Sequence, residues 1–281
     1  MTLTEAVEQA LGVRPISSQS LGGGCIAEVA ALDLPDGQRL VAKRGAPGQP
    51  GLELEAWMLA KLRDHGLPVP EVIHAEDALL VMTRLDDGGH LDAVSEARAA
   101  EVLAALHAQT AEAFGLERDT VIGSLPQPNP WTEGWIPFFA EQRLLYMAGL
   151  AHKRGRLPKE DLAQVETLAG RLDRYLEEPR QPALLHGDLW GGNLLVARDG
   201  TVGFIDPAIY YGHPEIELAF TTLFGTFGET FFRRYAELRP FEPDFFEVRL
   251  DLYNLYPLLV HVALFGSGYL GSVRSVLKRF R

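Results

Sequence analysis

The stretch His186-Gly187-Asp188-Leu189-Trp190-Gly191-Gly192-Asn193, followed thirteen residues after Asn193 by Asp206 in Phe204-Ile205-Asp206-Pro207, decides how this chain is read. It sets a carboxylate and, five residues on, an amide at opposite ends of a glycine-rich loop. A second carboxylate follows on two short apolar strands, NLLVARDG and TVGFIDPA. Phosphoryl transfer needs such a set: a carboxylate to accept or orient the attacking hydroxyl, and oxygen ligands to hold Mg2+ against the phosphates. Asp188 meets the first need, Asn193 and Asp206 the second. Asp and Asn also close ordinary turns, but three elements agreeing in order and spacing favour the chemical reading. His186 reads as a support for the loop rather than a proton carrier.

Upstream, Lys43 lies on an apolar strand, RLVAKR, and Glu55 on the helix that follows, so an ion pair between them would aim an ammonium at phosphates. Glu53 is a competing partner for the lysine. Gly22, Gly23 and Gly24 form a run where backbone amides can approach phosphate unobstructed. It follows neither the G-x-G-x-x-G pattern nor a Walker loop, and a strand-joining turn is the plainer reading. Cys25, beside this run, reads as a small unreactive residue, with a thiol of lowered pKa as the alternative.

The chain has 281 residues, 47% of them hydrophobic, enough for a sizeable core in a two-lobed unit. A formal charge of −12, from 26 basic and 38 acidic side chains, argues against nucleic acid or an anionic membrane as partner. The absence of a long apolar run or secretory pattern predicts a cytoplasmic protein. One cysteine forms no internal disulfide.

Working along the chain, VAALDL and RLVAKR flank Pro35-Asp36-Gly37 as a hairpin. LELEAWMLAKLRDHG places Leu52, Ala56, Leu59 and Leu62 at helical spacing and closes on Gly66. ALLVMTRL returns to strand, and TRLDDGGH, near residues 83 to 90, breaks the pattern as a hinge. Beyond it SEARAAEVLAALHAQTAEAF, WIPFFAEQRLLYMAGLAHKRG and KEDLAQVETLAGRLDRYLEE each carry an amphipathic stripe. The expected fold is α+β and bilobal, protein-kinase-like: a small β-rich N-lobe at residues 1–84 that binds nucleotide, and a larger α-rich C-lobe at 85–281 for catalysis and substrate.

GGGCI, FGLERDTVIGSLPQPNPWTEGW with the following FFAEQRL, HGDLWGGN, and DPAIYYGHPEIELAFTTLFGTF together resemble the fructosamine kinase (ketosamine-3-kinase) family, in that family's order. The resemblance runs from about residue 16 to 270. It implies ATP and Mg2+ as cofactors, Asp188 as catalytic base, Asn193 and Asp206 as magnesium ligands, Lys43 on the phosphates and Glu55 orienting it. Adenine is expected at the hinge, Met82, Thr83, Arg84 and Leu85. The implied reaction phosphorylates the sugar 3-hydroxyl of ketosamines, ribulosamine, erythrulosamine or fructosamine adducts, free or on glycated lysine side chains, and leads to deglycation.

Trp190, Asn129 and Trp131 are candidates for the acceptor side, where an aromatic face packs on a sugar and an amide bonds its hydroxyls. Core packing is the competing fate of each tryptophan, and Asn129, between two prolines, also serves to fix a turn. The cluster Tyr210-Tyr211-Gly212-His213-Pro214-Glu215, with Glu217, either lines that cleft or anchors the next helix. Pro207-Ala208 after the metal aspartate disfavours a protein kinase regulated by loop phosphorylation. An aminoglycoside- or choline-type kinase, or a noncatalytic nucleotide-binding regulator, are the rival readings.

Overall fold

A computed structural model describes residues 1–22, 27–45 and 51–281. In chain order the elements are α1 (Leu3–Leu11), β1 (Ser17–Ser20), β2 (Ala27–Asp33), β3 (Arg39–Gly45), α2 (Leu52–Asp64), β4 (Val72–Glu76), β5 (Leu79–Thr83) and α3 (Ala93–Leu106). Next come β6 (Thr120–Ile122), β7 (Leu125–Gln127), α4 (Trp135–Phe138), α5 (Tyr146–Lys153), α6 (Lys159–Ala169), β8 (Ala183–Leu185), β9 (Leu194–Val196), β10 (Val202–Phe204) and β11 (Tyr210–Gly212). Helices α7 (Pro214–Leu223), α8 (Glu229–Leu238), α9 (Leu250–Phe265) and α10 (Leu270–Arg279) complete the chain. The α+β character expected from the sequence is present. No helix among the described residues is long and apolar enough to cross a membrane.

Two compact units result, Met1–Val102 with Gly192–Pro207, and Leu103–Gly191 with Ala208–Arg281. Their borders differ from the lobes drawn at residue 84, because 85–102 and the β9–β10 hairpin pack within the first unit.

The first unit is built on an antiparallel sheet of order β1-β2-β3-β5-β4. The β2–β3 hairpin turns where Pro35-Asp36-Gly37 predicted it, with Gly37 at φ +87°. Along β3, Leu40 and Ala42 join a core with Leu3, Ala6 and Val7 of α1. Alternation then sends Val41 and Lys43 to the other face. Helix α1 begins with a reciprocal cap between Thr2 and Glu5. Helix α2 buries Leu52, Ala56, Leu59 and Leu62, as its spacing predicts, plus Met58.

In the second unit, α4, a π-helical stretch at Phe139–Leu145, and α5 run on continuously. Trp135 is fully buried, stacks on Phe139 at 5.4 Å, and donates its indole N–H to Tyr253 at 3.0 Å. Two predicted helices stop early. Helix α3 ends at Leu106, since Thr110 and Phe114 bridge to Ala183 and Thr132, and α6 ends before Gly170. There the strand pairing supplies hydrogen bonds that a longer helix would forgo.

His213 precedes Pro214, which opens α7, and its Nδ1 lies 2.8 Å from the Tyr253 hydroxyl. Burial pulls this imidazole down to about 3, with nearby Arg249 and His107 adding to the effect. Unfolded, the ring takes a proton near pH 6.5, whereas folded it refuses one until about 3. Its contribution is therefore complete above pH 6.5 and is lost as pH falls, by roughly 1.4 kcal/mol per pH unit. Urea unfolding of wild type and His213→Gln between pH 7 and 4.5 is expected to show a shallower acid decline in the variant.

Candidate active site

Lys43 reaches the α2 side of the sheet and places its ammonium 2.6 Å from the Glu55 carboxylate and in contact with Asp206. Only 8% of the residue is exposed, so this is a buried cation between two carboxylates. Burial alone would lower its pKa; Glu55 and then Asp206 outweigh that and hold it above the ordinary lysine value. Burial also raises Glu55, against the pull of Lys43. The short contact and the second carboxylate keep Lys43 charged. Glu53 is exposed, which resolves the choice of partner in favour of Glu55.

Asp206 is a non-glycine residue at φ +54°, a left-handed conformation that Asp tolerates better than most residues. It ends the β9–β10 hairpin, whose start is tied to its end by Ile205 N–H donating to the Asn193 carbonyl at 3.1 Å. The Asn193 side-chain amide also donates to the Asp206 carbonyl at 3.5 Å. The hairpin thus brings the two expected magnesium ligands together. Among the described residues no group of three His, Cys, Asp or Glu side chains forms a cage. One carboxylate and one amide oxygen fit Mg2+, which takes few protein ligands and completes its shell with phosphates and water.

At the hinge, Met82 is buried in β5. The N–H of Thr83 donates to Glu71 at 2.8 Å and that of Arg84 to Arg39 at 2.9 Å. Leu85 packs on Gly203, where a Cβ would come within 2.6 Å of the leucine side chain. Gly22 is exposed; Gly23, Gly24 and Cys25 lie outside the described residues.

In the second unit, β8 delivers the chain to His186 and pairs antiparallel with β11. The His186 carbonyl accepts from Ala208 N–H at 2.8 Å, and Asp188 N–H points at His186 Nδ1 at 3.4 Å. That is the supporting role expected of His186. Gly187 has φ +85°, and a Cβ there would sit 1.9 Å from the Ala208 carbonyl oxygen, so only glycine fits. The N–H groups of His186 and Gly187 donate to the two carboxylate oxygens of Glu217, at 3.2 and 2.6 Å.

Trp190, two residues beyond Asp188, is 40% exposed and meets Phe224 edge-on at 6.0 Å. Trp131 is 49% exposed beside Tyr211. Asn129 needs correcting as an acceptor ligand, because it is 1% exposed and its amide is engaged within the unit. Its nitrogen donates to Thr120 Oγ1 at 2.8 Å and its oxygen accepts from Arg143 at 2.7 Å. Arg143, itself fully buried, lies 3.9 Å from the Tyr210 ring centre. Tyr210, Tyr211, His213, Glu215 and Glu217 are all buried, so this cluster anchors α7. Glu215 pairs with Arg249, and Glu217 serves the loop. Sequence reasoning missed His107, Tyr235 and Arg143; the one signal was the pair of glutamates, Glu215 and Glu217, in the first turn of the otherwise apolar α7.

The fructosamine kinase family model matches residues 2–281. This chain belongs to the fructosamine kinase family. A Synechocystis protein designated a ketoamine kinase is 37% identical over 292 residues, 99% of this chain and 95% of that protein. A protein-ribulosamine 3-kinase of Arabidopsis thaliana is 34% identical, covering 92% of this chain and 80% of the plant protein. The solved structure of a protein assigned as a fructosamine-3-kinase from Thermobifida fusca superposes with a TM-score of 0.88 at 33% identity, over 99% of this chain and 97% of the other. An aminoglycoside phosphotransferase, 16% identical with a TM-score of 0.65 over 98% of this chain and 96% of its own, shares the fold. The protein-kinase-like architecture of this fructosamine kinase is thereby established.

Gly187→Ala is expected to drive the loop off Ala208 and lower turnover by about 100-fold. The Lys43–Glu55–Asp206 group lies in the other unit, so nucleotide affinity, read by fluorescence titration, is expected to stay within about twofold.

Proposed function

We propose that this kinase transfers the γ-phosphoryl group of ATP to the 3-hydroxyl of a ketosamine sugar, on a free amine or a glycated lysine side chain, so that the adduct decomposes and the amine is restored. The observation that carries the reading is the buried Lys43 ammonium between Glu55 and the exposed Asp206, with Asn193 tied to Asp206 on one hairpin. A cation held between carboxylates would meet the charge of a triphosphate, and Asp206 with Asn193 would hold the metal that offsets it.

In this reading residues 1–84 bind nucleotide and 85–281 carry catalysis and acceptor binding, with the 192–207 hairpin serving the nucleotide. Lys43 neutralises phosphate oxygens and Glu55 fixes its direction. Asn193 and Asp206 hold Mg2+, which when bound offsets charge on the phosphates. Gly22, Gly23 and Gly24 supply amides to the phosphates, and adenine lies along Met82 to Leu85. Because Thr83 and Arg84 already donate to Glu71 and Arg39, the adenine edge falls to Leu85 and to hinge carbonyls. Asp188 accepts the proton of the attacking hydroxyl. The exposed faces of Trp190 and Trp131 pack on the acceptor. The relatives named as ketoamine and protein-ribulosamine kinases support ketosamines over antibiotics or choline as the substrate class.

The test is ATP consumption with mass detection of product on ribulosyl-lysine, fructosyl-lysine, kanamycin and choline. Selective phosphorylation of a ketosamine is expected; activity on kanamycin or choline alone would move the protein to a sister branch. Asp188→Ala is expected to abolish transfer while leaving ATP binding largely intact, since it removes the hydroxyl-orienting group and none of the nucleotide contacts.

A further inference from the structure

The two expected magnesium ligands stand at the open end of a very short hairpin, Asn193 just before β9 and Asp206 shortly after β10. Each strand has 3 residues, and a lone two-stranded hairpin has little stability of its own. Its position is therefore set by what holds it from outside. At the end of β10 the Phe204 N–H donates to the Pro68 carbonyl at 2.8 Å, and Leu85 packs on Gly203. Where β9 ends, the Gly89 N–H donates to the Val196 carbonyl at 2.8 Å. At the turn, Arg98 Nη1 donates to the Asp199 carbonyl at 2.5 Å. Leu85, Gly89 and Arg98 all belong to the stretch of chain that leaves β5 and opens α3.

Space, and not backbone freedom, demands glycine at one of these contacts. Neither Gly88 nor Gly89 has a left-handed φ. A Cβ on Gly89 would lie 2.2 Å from the Ala197 carbonyl oxygen and 2.8 Å from that of Val196, both backbone atoms of the hairpin. A Cβ on Gly88 would instead meet the exposed side chain of Arg198, 2.9 Å from its Nε, and that side chain can swing aside. At Gly89 the linker backbone thus lies directly on that of the hairpin, and a side chain there forces the two apart.

We propose that Gly89, assisted by Arg98, is a positioning residue that locks the metal-binding hairpin to the linker, so that adenine and Mg2+ are received by one prearranged piece of the protein. This rests on the nucleotide reading above, with adenine along Met82 to Leu85 and the metal on Asn193 and Asp206. Because Leu85 touches the hairpin at Gly203, the adenine end of the linker and the metal ligands share one support. Ligands held in place beforehand lower the ordering cost of binding. The share of ATP affinity that Mg2+ supplies therefore reads how well Asn193 and Asp206 are placed.

Gly89→Ala, Gly88→Ala and Arg98→Ala are compared with wild type by titrating ATP with and without Mg2+, and adenosine, which lacks the phosphates that share the metal. In Gly89→Ala the tightening of ATP binding by Mg2+ is expected to fall by about tenfold, with adenosine affinity within about threefold of wild type. Arg98→Ala should lose severalfold of that tightening, because its contact lies at the far turn of the hairpin, and Gly88→Ala should match wild type within about twofold. In the protein free of nucleotide and metal, hydrogen–deuterium exchange across residues 192–207 is expected to quicken in Gly89→Ala and not in Gly88→Ala.

A Mg2+-dependent tightening in Gly89→Ala within about twofold of wild type, or equal losses in Gly88→Ala and Gly89→Ala, would overturn the proposal. An equal fall in adenosine affinity would overturn it too, since that marks general damage to the unit. If Gly89→Ala does not fold, Arg98→Ala decides: unchanged Mg2+ dependence and exchange refute the clasp, while a severalfold loss with adenosine affinity kept upholds it. A wild-type protein that binds no ATP would instead refute the nucleotide reading, and exchange in the free protein would still decide whether Gly89 holds the hairpin.

Discussion

An ammonium buried beside a carboxylate is stable only while its charge is answered, and in this chain Lys43 is answered twice. Much of the first unit follows from that requirement. The lysine must project from the sheet face opposite the α1 core, so β3 alternates Leu40 and Ala42 inward with Lys43 outward. Helix α2 must present Glu55 from the flank of a stripe that is otherwise apolar. The β9–β10 hairpin must then return 163 residues later to bring Asp206 alongside. Removing either carboxylate would leave the other to balance the lysine alone, which makes the triad a structural joint of the first unit.

The second unit depends on a steric constraint more than on charge. Gly187 is pressed against Ala208, so the loop has essentially one conformation, and Glu217 fixes it by accepting two consecutive amides. Asn129 and Arg143 belong to the same logic of support. Each is buried, each is bonded to the other, and the cation is also stacked on Tyr210, so an insertion rich in proline is held firmly beside its own two-stranded β6–β7 sheet.

The candidate site was most legible where the chemistry read for it needs particular residue types at short, fixed spacing. Asp188, Asn193 and Asp206 stand out for that reason, whereas periodicity left both Glu53 and Glu55 open to Lys43 and the fold selects Glu55. The supports were less legible. His107 and Tyr235 lie 110 and 18 residues from Glu217, and nothing local marks a histidine at a helix end as the partner of a glutamate so far along the chain. Asn129 was misjudged because an amide between prolines looks the same in sequence whether it faces solvent or a buried arginine. The overlong reading of α3 has a similar cause: amphipathic spacing continues past Leu106, while the strand that ends the helix, around Ala183, lies far downstream.

The first unit is discontinuous, made of residues 1–102 and 192–207. A chain emerging from the ribosome therefore carries the residues of all five strands and of α2, Lys43 and Glu55 among them, long before the hairpin bearing Asp206 exists. Through the synthesis of some ninety intervening residues the lysine has one carboxylate partner, and this unit is completed only when the other is already half made. Folding the first unit from one uninterrupted stretch of chain, the usual order for sequential domains, is closed to this protein. A fragment cut at residue 102 would carry the Lys43–Glu55 pair without Asp206 or Asn193.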